Sequence, residues 1–266
     1  VGQSLHELIG SVVETNGTKF KPGDRVLCVP YDHFGLFERF VIGEDRAILV
    51  DDRVPEEQAL MAQPLGTVLC ALKKVDTVLD RDVVVIGQGP MGQLFNAAVN
   101  NMGARQVIGI DLLESRLEVS SKMGATSVIC NANSDPISAV ADLTDGKMAD
   151  IVIEVVGHQN QALNLCIDLC RYQGKILYFG VPPKTINDVR WYDLFLKNLT
   201  VHTSVYPEFD RDFPLAMRWV GEKRIDVSPL ITHRFPLAEI QTAFETFRDK
   251  KDGAVKVLVD FPSSKR

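Results

Sequence analysis

The stretch DVVVIGQGPMGQLFNAAVNNMG constrains the fold most. An apolar β-branched run, Val83 to Ile86, leads straight into G-x-G-x-x-G at Gly87, Gly89 and Gly92, and a helical pattern follows. In that context Gly87 permits a tight turn. Gly89 lets the backbone approach a pyrophosphate, with Pro90 and Met91 opening the helix, and Gly92 allows close helix–strand packing. The free N–H groups and positive dipole end of the helix suit phosphate. Asp111 follows Gly92 by nineteen residues, at the end of the next apolar run, QVIGID. A carboxylate there accepts from both hydroxyls of an adenosine ribose and repels a 2′-phosphate, so NAD(H) is expected over NADP(H). The next basic residue, Arg116, reads as an adenine-side cofactor contact or as a solvated helix charge.

The texture of the chain changes around this core. From residue 1 to about 62 the runs SVVETNG, RVLCVP, LFERFVIG and RAILV, broken by KPGD and GED, suggest a small β unit. From 63 to 206 the apolar runs VVVIG, QVIGID, SVIC, DIVIEVVG, KILYFGV and LTVHTSV alternate with helical stretches. That alternation predicts an α/β doubly wound parallel sheet of Rossmann type, buried on both faces. Residues 207–266 read as helix, turn, helix and a last strand, AVKVLVDF, returning to the first unit.

Composition narrows the partners. With 266 residues and a net charge of −6, the chain has no basic stripe for nucleic acid. No apolar run approaches the roughly 20 residues that cross a bilayer. Five cysteines without a C-x-x-C argue against a disulfide framework and favour a reducing compartment, the cytoplasm. Cys166 and Cys170, one helical turn apart in NQALNLCIDLCRYQG, read as two small buried hydrophobes.

The order of segments resembles the medium-chain dehydrogenase/reductase superfamily, in its zinc-dependent alcohol and polyol dehydrogenase branch. LHELIG matches the family's G-H-E-x-x-G, and GDRV (Gly23 to Val26) and GLFERF (Gly35 to Phe40) match its next two motifs. DIVIEVVG, QGKILYFGVP, SPLITHRFPLAEIQTAF and VKVLV match its later ones. The resemblance implies a partial GroES-like β-barrel catalytic domain beside the Rossmann domain, with the active site in the cleft between them. It implies one catalytic zinc, held by His6, by Glu7 as an adjacent or alternating ligand, and by Gln63 at the pre-Rossmann ligand position. Thr67 would pack on the nicotinamide.

On the cofactor, the resemblance places Val156 and Gly157 along the riboses. Phe179, Gly180 and Val181 would lie beside the nicotinamide ribose, Thr203, Ser204 and Val205 at the carboxamide, and Lys256 at the pyrophosphate across the cleft. Departures are equally specific. Leu5 replaces the family's glycine, and Gln63 is a neutral amide, a poorer zinc donor than thiolate or carboxylate. The upstream cysteine ligand has no counterpart, so the chain is expected to be trimmed at its N-terminus. The four-cysteine structural zinc lobe is missing; Cys28, read as core, and His33, read as surface, lie in the short connection that replaces it. Trp191, Tyr192, Phe195 and Trp219 follow helical spacing and are expected to pack inside.

The expected function is hydride transfer between an alcohol or polyol and NAD, in a homodimer or homotetramer acting on a small-molecule alcohol or carbonyl substrate. Two alternatives stand beside it: a metal-free NAD(P)H reductase of the same superfamily, and a non-catalytic NAD(H)-binding protein.

Overall fold

The structure is a computed structural model that describes residues 5–31, 34–159 and 161–262. His33 lies outside the described residues. The chain divides into two compact units, Val1–Leu69 with Tyr206–Arg266, and Cys70–Val205. The division falls at Leu69/Cys70, within one helix, where the sequence places it at 62/63.

The first unit begins with β1 (Leu8–Ser11), β2 (Arg25–Cys28) and β3 (Ala47–Leu49), an antiparallel sheet in that order. Its core gathers Phe20, Val26, Cys28 and Ala47, with Leu8, Val12 and Ile42 packed against them. The run LFERFVIG forms no strand. Ile42 packs on that core, but Phe37, Phe40 and Val41 stay exposed, so burial along the run does not compensate the ordering of a ladder. Helix α1 (Glu56–Ala59) is followed by α2 (Ala62–Leu72), which carries Gln63 and Thr67.

The second unit is a six-stranded sheet. Its strands are β4 (Asp82–Ile86), β5 (Gln106–Asp111), β6 (Ser127–Cys130), β7 (Ala149–Glu154), β8 (Cys170–Tyr178) and β9 (Thr200–Thr203). The order is β6-β5-β4-β7-β8-β9 with every pair parallel, the doubly wound arrangement whose order reverses at β4. Parallel neighbours need crossovers, supplied by α3 (Pro90–Asn101), α4 (Glu114–Lys122), α5 (Pro136–Leu143), α6 (Ala162–Leu169) and α7 (Trp191–Leu196). Every residue of β4 and β7 is buried, which is why Val83–Ile86 and Ile151–Ile153 are continuously apolar, while Asp82, Asp150 and Glu154 are carboxylates buried near the strand ends. Each fully buried Val or Ile contributes about 1.5–3 kcal/mol.

Two local expectations change here. Helix α6 ends at Leu169, so Cys170 opens β8 instead of completing a helical turn. The reason is distant in sequence: Lys197 Nζ donates to the Ile167, Asp168 and Cys170 carbonyls and closes the helix end. Both cysteines are fully buried, and burial raises their thiol pKa values, Cys170's to about 12. On α7, Trp191, Tyr192 and Phe195 are exposed rather than packed, because the spacing that aligns them on a helix does not say what covers it. Trp219 is buried as expected.

The chain returns to the first unit with α8 (Phe209–Gly221), β10 (Ile231–Pro236), α9 (Ile240–Asp249) and β11 (Lys256–Asp260); β10 and β11 pair in parallel. On α8, Phe213 fits against α2 only because Gly66 has no side chain: a Cβ there would lie 2.3 Å from the Phe213 ring. No helix among the described residues is long and apolar enough to cross a membrane.

Candidate functional site

The carboxyl end of β4 turns into α3 through the three glycines. Gly87 takes φ +94°, open to glycine at no steric cost, and donates its N–H to the Ile110 carbonyl at 2.8 Å. A Cβ on Gly92 would stand 1.9 Å from the Gly87 carbonyl oxygen, so the helix start and the turn touch through backbone. Gly89, the N-cap of α3, is different. A Cβ there would meet nothing nearer than Arg116 Nη1 at 3.7 Å, so the backbone stands open. Pro90 begins the helix without needing an N–H, and Met91 follows it in the first turn.

Beneath the turn lies a polar cluster absent from the sequence-based expectations. Gln88 is fully buried, and its Oε1 accepts from Asn96 Nδ2 at 2.5 Å and Ser120 Oγ at 2.8 Å. Gln93 Nε2 donates to the carbonyls of Gln88 and Arg116 at 3.0 and 2.9 Å, joining the glycine turn to α4. Gly109 makes room, since a Cβ there would come within 2.9 Å of the Gln88 amide. The available signal was a glutamine between two glycines of an otherwise apolar motif.

Asp111 closes the turn from the neighbouring strand. Its Oδ2 accepts from the Gln88 N–H at 2.7 Å and its Oδ1 from the Leu113 N–H at 3.0 Å. An ionised carboxylate has about four acceptor sites, so capacity for ribose hydroxyls remains. Arg116 is no freely solvated charge: its side chain is only 17% exposed and Nη1 lies 3.6 Å from Asp111 Oδ2. Its Nε has no hydrogen-bond partner among the described residues.

Val156, Gly157, Phe179, Gly180 and Val181 follow the ends of the adjacent strands β7 and β8, next to β4. The two loops are stitched by the His158 N–H to the Val181 carbonyl at 2.7 Å, and by the Phe179 and Gly180 N–H groups to the Glu154 carbonyl at 2.9 and 3.0 Å. Phe179 packs edge-on against Phe95 of α3, centroids 5.0 Å apart. Thr203, Ser204 and Val205 lie at the end of β9, where Lys74 Nζ donates to the Thr203 carbonyl at 2.7 Å. The carboxyl ends of parallel strands at an order reversal are where such sheets bind ligands.

In the first unit, His6 and Glu7 immediately precede β1. Lys256, expected at the pyrophosphate, has its ammonium bonded to the Glu7 carboxylate, both side chains largely buried. The pairing ties β11 to the start of β1, 249 residues away in sequence. Gln63 is buried at 6% exposure, and the Thr67 hydroxyl is spent on the Pro64 carbonyl at 2.7 Å. Cys28 is core, its thiol pushed by burial up to about 11.

A catalytic zinc takes three protein ligands drawn from Cys, His and carboxylate. No cluster of three or more His, Cys, Asp or Glu among the described residues could hold a metal ion. His6, Glu7 and Gln63 thus do not by themselves fit the ion.

The family model for zinc-binding dehydrogenases matches residues 90–222. L-threonine 3-dehydrogenase of Bacillus licheniformis is 31% identical over 210 residues, 77% of this chain and 59% of that protein, so the chain spans about three fifths of that relative. Among solved structures, a short chain alcohol dehydrogenase of Escherichia coli complexed with NADH superimposes with a TM-score of 0.86 at 20% identity, covering 96% of this chain and 83% of that one. L-idonate 5-dehydrogenase of Escherichia coli gives 0.82 at 21%, covering 96% and 81%. These two likenesses are likenesses of fold. Half of the chain's length falls within the family model: the chain belongs to the zinc-binding dehydrogenases of the medium-chain dehydrogenase/reductase superfamily.

Proposed function

We propose that the protein is an NAD-dependent alcohol or polyol dehydrogenase of the zinc type. The observation that carries the reading is the turn at Gly87, Gly89 and Gly92 with Asp111 closing it: an open backbone edge at a helix N-terminus beside a carboxylate with spare acceptor capacity. The B. licheniformis relative, named for its action on L-threonine, agrees with a small hydroxylated substrate. NAD, when bound, supplies the hydride acceptor. The chain's part is to hold it. Gly89 and the start of α3 face the pyrophosphate, Asp111 and Arg116 take the adenosine ribose, and the loops at Val156–Gly157 and Phe179–Val181 take the nicotinamide side. Asp111 favours NAD over NADP by opposing a 2′-phosphate, an effect that Arg116 tempers.

Because His6, Glu7 and Gln63 do not complete a zinc site, no step is assigned to the metal, and a single catalytic zinc requires a donor beyond these three. The second reading is a metal-free reductase of the same superfamily, which the neutral amide of Gln63 favours. Turnover of NAD+ at 340 nm over a panel of secondary alcohols and polyols, with zinc measured in the same preparation, decides. Alcohol-dependent reduction with about one zinc per subunit supports the first reading. Full activity without zinc supports the second, and NADH binding without turnover of any alcohol or carbonyl refutes both.

None of the five cysteines is in a disulfide, consistent with a reducing compartment such as the cytoplasm. Strand β9 ends the sheet order and Val201 on it is exposed, so a homodimer built by pairing β9 strands is the assembly we propose. Light scattering that shows a monomer at micromolar concentration would refute it.

A further inference from the structure

Glu154, the last residue of β7, is a fully buried carboxylate at the end of an apolar strand. Its Oε1 accepts from the N–H groups of Val156 and Gly157, each at 2.8 Å, while its own carbonyl accepts from Phe179 and Gly180. Oε2 has no hydrogen-bond partner among the described residues, and a Cβ on Gly180 would fall 2.5 Å from it and 2.4 Å from the Gly157 nitrogen. One residue therefore grips the loop after β7 with its side chain and the loop after β8 with its backbone. The loops meet across two glycines with no space for a side chain between them.

Such a carboxylate is expensive to keep. Burying an anion costs several kcal/mol, and an apolar residue would pack the sheet more cheaply. Burial raises the Glu154 pKa, outweighing the N–H groups of Gly157, Val156 and Gly180 that pull it down. His158 adds a smaller lowering, and the buried Tyr178 hydroxyl and Cys166 thiol have their own pKa values raised partly by Glu154. What the carboxylate provides is shape: a single acceptor that two successive amides must converge upon, at the carboxyl end of the strand beside the phosphate turn.

We propose that Glu154 is the positioning residue for the nicotinamide half of the cofactor, fixing the Val156–Gly157 and Phe179–Val181 loops as one rigid wall. This rests on the NAD reading above. The adenosine half, built on Gly89, Asp111 and Arg116, stands on β4, β5 and their following helices and shares none of these bonds.

The test is equilibrium binding of NADH and of ADP, which lacks the nicotinamide half, to the wild-type protein and to Glu154→Ala, Glu154→Asp and Glu154→Gln. Glu154→Asp withdraws the acceptor by one methylene and should weaken NADH about tenfold or more, leaving ADP within about twofold. Glu154→Gln keeps an oxygen for both amides and should stay within about threefold of wild type for both ligands. Glu154→Ala should behave as Glu154→Asp or worse; if it fails to fold, the Asp and Gln variants decide alone. Equal weakening of NADH and ADP, a Glu154→Gln defect matching that of Glu154→Asp, or a Glu154→Asp variant that binds NADH normally each overturns the proposal. A wild-type protein that binds neither ligand overturns the NAD reading itself.

Discussion

Gly89 and Gly92 sit three residues apart in one motif and should fail in opposite ways. At Gly89 the backbone is φ −71°, ψ −171°, which alanine adopts freely, and its Cβ would have its nearest neighbour at 3.7 Å. Gly89→Ala should therefore leave stability unchanged or raise it by about 0.4–1 kcal/mol through the unfolded chain. The same methyl would occupy the space through which the backbone meets a pyrophosphate. Losing one hydrogen bond to a charged group removes about 1.5–3 kcal/mol, or roughly 10- to 150-fold in NADH affinity. At Gly92 the Cβ would lie 1.9 Å from the Gly87 oxygen and 2.9 Å from its carbon, and backbone cannot rotate away as a side chain can. Gly92→Ala should cost about 1–3 kcal/mol or more by overpacking, and lose cofactor binding with it. Urea denaturation and NADH fluorescence titration on both variants separate the effects. A Gly89→Ala protein as destabilised as Gly92→Ala, or one that binds NADH like wild type, would refute the reasoning.

Asp111→Asn keeps one acceptor but removes the charge, so the preference for NADH over NADPH should fall about tenfold or more, read as the ratio of the two dissociation constants. Lys256→Met strands the largely buried Glu7 carboxylate and should lower stability by about 1.5–3 kcal/mol in urea, with Glu7→Gln in the same chain recovering part; a neutral Lys256→Met would mean that the pair does not form. Burial pushes Asp150 up, but the Asp82 N–H at 2.9 Å and the guanidinium groups of Arg171 and Arg81 outweigh it and hold its pKa below the usual 3.8. A carboxylate lowered by folding stabilises fully above its unfolded pKa and loses that contribution as pH falls through the folded value. The urea midpoint of wild type should drop below about pH 4, and Asp150→Asn should lower it at neutral pH and flatten the acid limb. A parallel pH profile would count against the network.

The parallel sheet was legible because β4 and β7 are buried along their whole length, which keeps their middles, Val83–Ile86 and Ile151–Ile153, continuously apolar. The glycine turn was legible as a turn because its tightest approach, Gly92 against Gly87, is local in sequence. What stayed hidden depends on residues far away in sequence. Cys170 leaves the helix because Lys197 caps the preceding carbonyls, and Lys256 meets Glu7 across almost the entire chain. LFERFVIG and the α7 aromatics show the limit of periodicity, which aligns side chains on a face without saying what covers that face. Glu154 and Gln88 did leave a signal, a charge inside an apolar run and an amide inside a glycine turn, and both proved to be buried hydrogen-bonding centres at the candidate site.

The central claim is that this turn and its carboxylate hold NAD. Equilibrium titration of the purified protein with NADH and NADPH, followed by nicotinamide fluorescence, tests it most directly. The account predicts saturable NADH binding in the micromolar range, about −8 kcal/mol, and at least tenfold weaker NADPH binding. No saturable NADH binding at millimolar concentration, or tighter binding of NADPH, would contradict it.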